Sequence, residues 1–462
     1  MVLHGIKRVF FIGIGGIGMS ALARYFTRLG KQVAGYDSTS TPLTVKLIRE
    51  GIAIHYTDDT NNIPPEFCTN LNEILVIYTP AIPKDHKELN FFLSKNFNVI
   101  KRAKALALIA NEYTSSAVAG THGKTSTSTL LAHLLSETPL GCNAFLGGIS
   151  KNFKSNLVMN DRGANRMVVE ADEFDRSFLN LTPQLAIITS ADADHLDIYN
   201  THREVKEAFE AFISNITQGG VLIIKKGIEY LGKNRTDIKV YTYSGTEKAD
   251  FYPINISQNS GLYSFDLVSP FGVINNVSLG VLGRYNVENA IAASAAALIW
   301  GITTEKLIKG LRTFKGIVRR FDLRYKGKKV VYIDDYAHHP EELKAAISSA
   351  REIFPDRKIT GIFQPHLFSR TRDFANEFAA SLSQLDELIL LPIYPAREEP
   401  IPGINSELVL DKVNISFKSL CPINHLLENL RGKEMDVLLT LGAGNIDKVT
   451  GDIVKLLKKR GL

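Results

Sequence analysis

Cysteine is scarce in this chain of 462 residues: there are three, Cys68, Cys142 and Cys421, far apart and in no CxxC pair. That excludes a disulfide scaffold and a cysteine-built metal centre, and it reads as reduced thiols of a cytoplasmic protein. An excess of charge is also lacking. Lys and Arg number 54 against 48 Asp and Glu, a net +6. Over this length that is a mild preference for anionic ligands, without the concentrated basic face of a nucleic-acid binder. Long hydrophobic runs are missing too. The apolar stretch 291–300 is too short for a bilayer, which needs about 20 residues. Near the start, Lys7-Arg8 precede an apolar run ending in Ala21-Leu22-Ala23, which imitates a signal peptide. Gly13, Gly15, Gly16 and Gly18 interrupt it, so a strand, a glycine turn and a helix account for it better. The expectation is a soluble protein, monomer or weak homodimer, with no nucleic-acid and no membrane partner.

With 45% apolar and 22% charged residues, the composition is that of an ordinary globular protein. The length suggests about three domains. Short β-branched runs alternate with helix-period segments, the pattern of parallel sheets with crossover helices. A first block has strands at 9–12, 32–36 and 74–78 and fades after Asn98-Val99-Ile100. A second has strands at 116–119, 167–169 and 186–189, a polar, less periodic stretch over 233–278 in keeping with small antiparallel strands, and an Ala-rich helix at 287–300. A third has strands at 330–333, 359–363, 387–391 and 436–441. The predicted fold class is α/β in three domains. Residues 1–107 form a Rossmann-like domain, 108–315 a central P-loop ATPase-type domain with a mostly parallel sheet, and 316–462 a C-terminal Rossmann-like domain.

Gly13-Ile14-Gly15-Gly16-Ile17-Gly18 follows the first strand and opens a helix, and Asp37 lies 19 residues after Gly18. GxGxxG in this context lets a diphosphate approach backbone N–H groups at a helix N-terminus. The pattern does not separate NAD from another nucleotide diphosphate. Gly120-Thr121-His122-Gly123-Lys124-Thr125 lies between a strand and a helix and reads as a shortened phosphate loop. Val118 occupies the place of the usual first glycine. In such a loop backbone N–H groups cradle phosphates, Lys124 offsets the β/γ charge and the Thr125 hydroxyl reaches Mg²⁺. Glu170 follows the apolar run Met167-Val168-Val169, where a metal-bridging acid sits. Asp192, Asp194, His195 and Asp197 cluster after the strand at 186–189, in keeping with a second metal or phosphate site.

In the third block, Asp334-Asp335-Tyr336-Ala337-His338-His339-Pro340 and Gln364-Pro365-His366-Leu367-Phe368-Ser369-Arg370 each follow a strand. Open α/β sheets bind ligands at such ends. Tyr, His and Arg together suit a small zwitterion, with Arg pairing its carboxylate.

Taken together, GIGGIGMSALA (13–23), AGTHGKT (119–125), EADEFDRSFL (170–179), DADHLD (192–197), GRYNVENA (283–290), RRF (319–321), DDYAHHP (334–340) and FQPHLFSRTRD (363–373) closely resemble the Mur ligases. The resemblance spans nearly the whole chain. It implies an ATP-dependent ligase of bacterial peptidoglycan synthesis, of the branch that adds L-alanine to UDP-N-acetylmuramate. The substrates would be UDP-N-acetylmuramate, L-alanine and ATP, with Mg²⁺ required and Mn²⁺ able to substitute. The alternative within the family is a ligase that recycles murein peptide onto the same sugar nucleotide. Outside the family, the rivals are an NAD-dependent oxidoreductase, which would leave the phosphate loop unexplained, and a non-catalytic P-loop module; phosphate release that requires both an amino acid and a UDP-sugar would reject both.

By the same resemblance, Lys124, Glu170, His195 and His338 would be catalytic, and Thr125, Glu170 and His195 would hold metal. ATP would be bound by Gly120, Thr121, His122, Gly123, Lys124, Thr125, Asn289, Arg319, Arg320 and Asp335. The UDP-sugar would lie on Gly13, Gly15, Gly16, Ile17, Gly18, Asp37, Thr79 and Arg102. Tyr336, His338, His366 and Arg370 would recognise the amino acid. Three positions depart from the family pattern: Tyr285 in place of a frequent His, Leu367 in place of a common Arg, and Asn445 in place of a frequent Asp.

Overall fold

The computed structural model describes residues 3–191, 202–396 and 398–461. Contacts divide it into two compact bodies. The first comprises Met1–Asn255, Phe265–Val277 and Glu288–Lys315, and the second Ile256–Ser264, Ser278–Val287 and Gly316–Leu462.

The first body contains two sheets. One runs in the order Ala53–His55, Gln32–Tyr36, Arg8–Ile12, Ile74–Tyr78, Asn98–Lys101, parallel throughout. The other runs Lys239–Tyr243, Val221–Lys225, Leu185–Ile188, Thr114–Ala119, Arg166–Glu170, Asn143–Ser150, Ser155–Val158. It is parallel except at its last pair. Their central strands are nearly all Val, Ile, Leu, Phe, Ala and Met and are buried, as expected of parallel strands covered on both faces. The two sheets share one apolar core. Phe11, Tyr25 and Phe26 of the first belong to the same cluster as Ala117, Phe145 and Val169 of the second, and the rings of Tyr25 and Phe145 lie 5.4 Å apart.

A buried amide adds a polar tie. Asn156, on the edge strand of the larger sheet and fully buried, donates to the Ile17 carbonyl and to Ser20 Oγ and accepts from Arg24. All three partners sit on the helix Ile17–Arg28, which starts at the glycine turn.

In the second body a six-stranded sheet runs Asp322–Lys326, Val331–Asp335, Val437–Leu441, Ile359–Phe363, Glu387–Leu390, Phe417–Leu420. Only the first pair is antiparallel. The strand ends that carry the two polar clusters are thus separated by a single strand, and all three point the same way.

The polar stretch 233–278 resolves into the small strands expected of it, the first of them parallel to its neighbour rather than antiparallel. Lys239–Tyr243 joins the large parallel sheet as its edge, while Tyr252–Asn259, Leu262–Ser269 and Gly272–Leu282 form a three-stranded sheet of their own. Within it Tyr263, Phe265 and Leu267 alternate inward. The Ala-rich helix spans Tyr285–Ile299. No helix among the described residues is long and apolar enough to cross a membrane.

Candidate active site

The phosphate loop leaves the strand Thr114–Ala119 and enters the helix Lys124–Ser136. Gly120 has φ +134°, and a Cβ on it would lie 2.2 Å from Thr189 Oγ1 and 2.7 Å from Ser190 N, so no other residue fits. The end of the neighbouring strand Leu185–Ile188 supplies the anchors. Ser190 Oγ accepts the His122 N–H at 2.8 Å and lies 2.8 Å from the Thr121 hydroxyl, while Thr189 donates to the Ala119 carbonyl at 3.1 Å. Gly123, at the N-cap, offers no side-chain cap, the arrangement in which first-turn N–H groups receive an anion.

Lys124 Nζ donates to the Gly120 carbonyl at 2.6 Å and to Glu173 Oε1 at 2.8 Å. Burial works against its charge, but Glu173, Asp172 and Glu170 outweigh it and hold the amine above an ordinary lysine. Glu170 ends the adjacent strand, paired with Val118. Its carboxylate lies against Gly147, where a Cβ would stand 2.1 Å from Oε2. Asn289 Oδ1 accepts the Thr127 hydroxyl at 3.3 Å and would be 2.7 Å from a Cβ on Gly123. The Thr125 hydroxyl and the Glu170 carboxylate are hard oxygen donors, a set that fits a magnesium ion completed by phosphate and water. Among the described residues no group of three or more His, Cys, Asp and Glu forms a cage for a metal by itself. His195, with Asp192, Asp194 and Asp197, lies outside the described residues.

On the smaller sheet of the same body the expected sugar-nucleotide residues converge. Gly13 has φ +87° and a Cβ there would strike Thr79 Cγ2 at 2.5 Å. Asp37 Oδ2 accepts the Gly15 N–H at 2.7 Å. The Arg102 guanidinium lies over Gly18 and 3.9 Å from Asp172. A cavity of about 260 Å³ is lined by Gly16, Ile17 and Gly18 together with Thr79, Arg102, Glu170 and Asp172. Leu22, Leu106 and Phe145 form its apolar wall.

In the second body Asp335 is buried, with Oδ2 accepting the Phe321 N–H and Oδ1 the Ala337 N–H at 2.8 Å. Both oxygens therefore serve the backbone on either side of Tyr336. Burial pushes its carboxyl up to about 6, against the pull of Arg320 and of those two donors. Arg319 donates to the Gly442 carbonyl, lies 3.4 Å from buried Asp334 and covers the Tyr336 ring at 5.1 Å. Arg320 lies 5.5 Å from the same ring and 3.8 Å from Glu342.

A ladder of rings continues from there. His338 meets Tyr336 edge-on at 5.2 Å and His366 at 6.0 Å, and His366 stacks on Tyr394 at 5.8 Å. Burial, with the Arg370 charge adding to it, lowers both histidines, and His366 falls to about 4. Both imidazoles are therefore neutral at pH 7 beside the Arg370 cation. His366 Nδ1 is buried with no hydrogen-bond partner among the described residues.

The departures are accommodated locally. Tyr285 meets Phe321 edge-on at 6.2 Å. Leu367, at φ +71°, donates its N–H to the Tyr394 carbonyl at 3.0 Å. Asn445 Oδ1 accepts from the Gln364 amide at 2.8 Å. Sequence reasoning missed Glu173, Thr189, Ser190, Gly147 and Tyr394. Glu173 stood inside a quoted motif; the others carry no local signal.

The sequence matches the Mur ligase family catalytic domain over residues 8–114, the Mur ligase middle domain over 118–297 and the Mur ligase glutamate ligase domain over 319–444. The chain belongs to the Mur ligase family, and is an ATP-dependent ligase by that membership. It is 52% identical to the UDP-N-acetylmuramate–L-alanine ligase of Parabacteroides distasonis, covering 100% of this chain and 99% of that protein. It is 51% identical to the enzyme of the same name from Porphyromonas gingivalis, over 98% and 99% of the two chains. Among solved structures it is similar to the UDP-N-acetylmuramate-alanine ligase of Thermotoga maritima, with 26% identity and a TM-score of 0.83 over 98% of this chain and 99% of that one.

Proposed function

We propose that the chain joins L-alanine to the lactyl carboxylate of UDP-N-acetylmuramate, converting ATP to ADP and phosphate. The observation that carries this reading is the cavity linking the glycine turn at Gly16–Gly18 to Glu170 and Asp172, with Glu170 on the strand beside the phosphate loop. A sugar nucleotide whose diphosphate rests on the turn has its far end at the acids next to the ATP phosphates. The full-length likeness to relatives named for this reaction supports the same choice.

A carboxylate resists amine attack, so the γ-phosphoryl group is first transferred to it. The alanine nitrogen then adds to the carbonyl of the acyl phosphate, and phosphate leaves from the tetrahedral intermediate. Lys124 and the loop N–H groups hold the β- and γ-phosphates and offset charge that grows during transfer. Thr125 and Glu170, with His195, are the residues that would hold Mg²⁺, which supplies further charge neutralisation; Mn²⁺ would serve in its place. Asn289 lies beside the loop for the nucleotide, and by the family resemblance Arg319, Arg320 and Asp335 are assigned to ATP as well. Asp37, Thr79 and Arg102 frame the UDP-sugar. Arg370 pairs the alanine carboxylate, and Tyr336, His338 and His366 complete recognition of the amino acid. We assign the work to segments 1–107, 108–315 and 316–462 in that order, and place the protein in the cytoplasm as a monomer or weak homodimer.

The test uses purified protein with ATP, Mg²⁺ and UDP-N-acetylmuramate, offered L-Ala, Gly, L-Ser or the murein tripeptide. Product mass should rise by one alanine residue, with phosphate release requiring both co-substrates. A product formed with tripeptide alone would make this a recycling ligase.

A further inference from the structure

The phosphate-loop lysine already has an anionic partner. Glu173 Oε1 lies 2.8 Å from Lys124 Nζ, with the Glu173 side chain 1% exposed and that of Lys124 12% exposed. The same ammonium donates to the Gly120 carbonyl at 2.6 Å and reaches Thr121 O at 3.4 Å. An ammonium has three N–H donors, so the protein occupies all of them.

The acid is held in place from its own side. The Phe178 N–H and the Ser177 hydroxyl both donate to the Asp172 carbonyl, and the Arg176 N–H donates to the Glu173 carbonyl at 2.9 Å. The backbone at 172–173 is thereby fixed by the turn that follows it, and the carboxylate faces the loop.

Two requirements meet at this contact. A shielded ammonium is costly without an opposite charge beside it, so the unliganded loop holds an anion. A nucleotide brings its own anions to the same nitrogen, and a carboxylate standing beside them in a shielded site repels them. We propose that Glu173 is the displaceable counter-ion of Lys124: it holds the ammonium in place while the loop is empty, and yields it to the β/γ-phosphates. This rests on the reading of residues 120–125 as a nucleotide site. Glu173 is then a positioning residue that limits nucleotide affinity and favours release of ADP after turnover.

The experiment measures ADP binding by calorimetry on the full chain, in EDTA and in Mg²⁺, for the wild type, Glu173→Gln, Lys124→Ala and the double variant. Gln keeps the shape and one acceptor oxygen but removes the charge. Glu173→Gln should bind ADP at least ~5-fold more tightly in EDTA, since one charge facing a polyanion is removed. The gain should shrink in Mg²⁺, which offsets the same repulsion, and shrink also when Lys124 is Ala, where the repulsion remains but the competition for the ammonium is gone. ADP release should slow in parallel. Glu173→Ser, which removes the charge and leaves space for water, must change affinity in the same direction. Unchanged or weaker ADP binding in either folded Glu173 variant overturns the proposal and leaves Glu173 a structural brace. If Lys124→Ala binds ADP as tightly as the wild type, it is the nucleotide reading that fails.

Discussion

Asp37 receives the backbone N–H of Gly15 at 2.7 Å, so the acid at the end of the second strand shapes the glycine turn from inside. Replacing it with Ala removes a charge-assisted bond to the loop that frames the diphosphate site. Asp37→Ala should raise KM for UDP-N-acetylmuramate by about 10-fold, near 1.4 kcal/mol of lost binding. KM for ATP should stay constant, because the phosphate loop is anchored separately by Thr189 and Ser190. Steady-state kinetics with each substrate varied in turn read both outcomes.

Lys124→Ala should abolish ligation, lowering turnover by ~10³-fold or more. The fold should survive, since hydrogen bonds from the neighbouring strand end hold the loop. A folded variant, judged by its melting curve, that retained a tenth of wild-type turnover would remove Lys124 from the phosphate site.

Metal dependence should follow the oxygen donors Thr125, in the first turn of its helix, and Glu170, at the end of its strand. EDTA should stop the reaction, Mg²⁺ and Mn²⁺ should restore it, and Glu170→Gln should raise the metal concentration for half-maximal rate by about 10-fold. Titration of metal into stripped enzyme measures this. Full activity in EDTA would contradict it.

Arg370→Lys should raise KM for L-alanine by at least ~10-fold, because an ammonium cannot form the two parallel bonds of a guanidinium. KM for ATP and for the sugar nucleotide should be unaffected. If alanine KM is unchanged and only the melting temperature falls, Arg370 is a structural cation.

The depressed His366 makes a prediction about acid stability. In the folded chain it takes up a proton only near pH 4, whereas an unfolded imidazole does so near 6.5. Between those values the unfolded state binds more protons, so this group's contribution is present above pH 6.5 and is lost as pH falls towards 4. Asp335, raised to about 6, acts in the opposite sense over much of that window. His366→Gln isolates the imidazole: the variant should lose less stability than the wild type between pH 6.5 and 4 in denaturant melts.

Much of the candidate site was legible because its parts are local. A glycine turn or a phosphate loop is built from consecutive residues whose chemistry depends on backbone shape, and Glu170 could be placed from the apolar strand before it. Thr189 and Ser190 were hidden because they act on residues 119, 121 and 122 across a parallel strand pair, which no short motif encodes. Tyr394 reaches His366 only through strand order. The three-stranded sheet was legible only as a polar stretch with small strands, without their bounds, because its strands put one face to solvent. Arg319 and Asp335 looked like free ligands in sequence; folded, much of their hydrogen bonding goes to backbone.

The apolar cluster that joins the first two sheets has a thermodynamic meaning. Phe11 and Tyr25 beneath the glycine turn share one core with Ala117 and Val169 beside the phosphate loop, so the two binding loops stand on a single cooperative unit. Occupying either loop stabilises everything that melts with it. ADP should therefore slow hydrogen exchange in the strands Arg8–Ile12 and Ile74–Tyr78, which it never touches, and the sugar nucleotide should do the same for the strand that precedes Gly120.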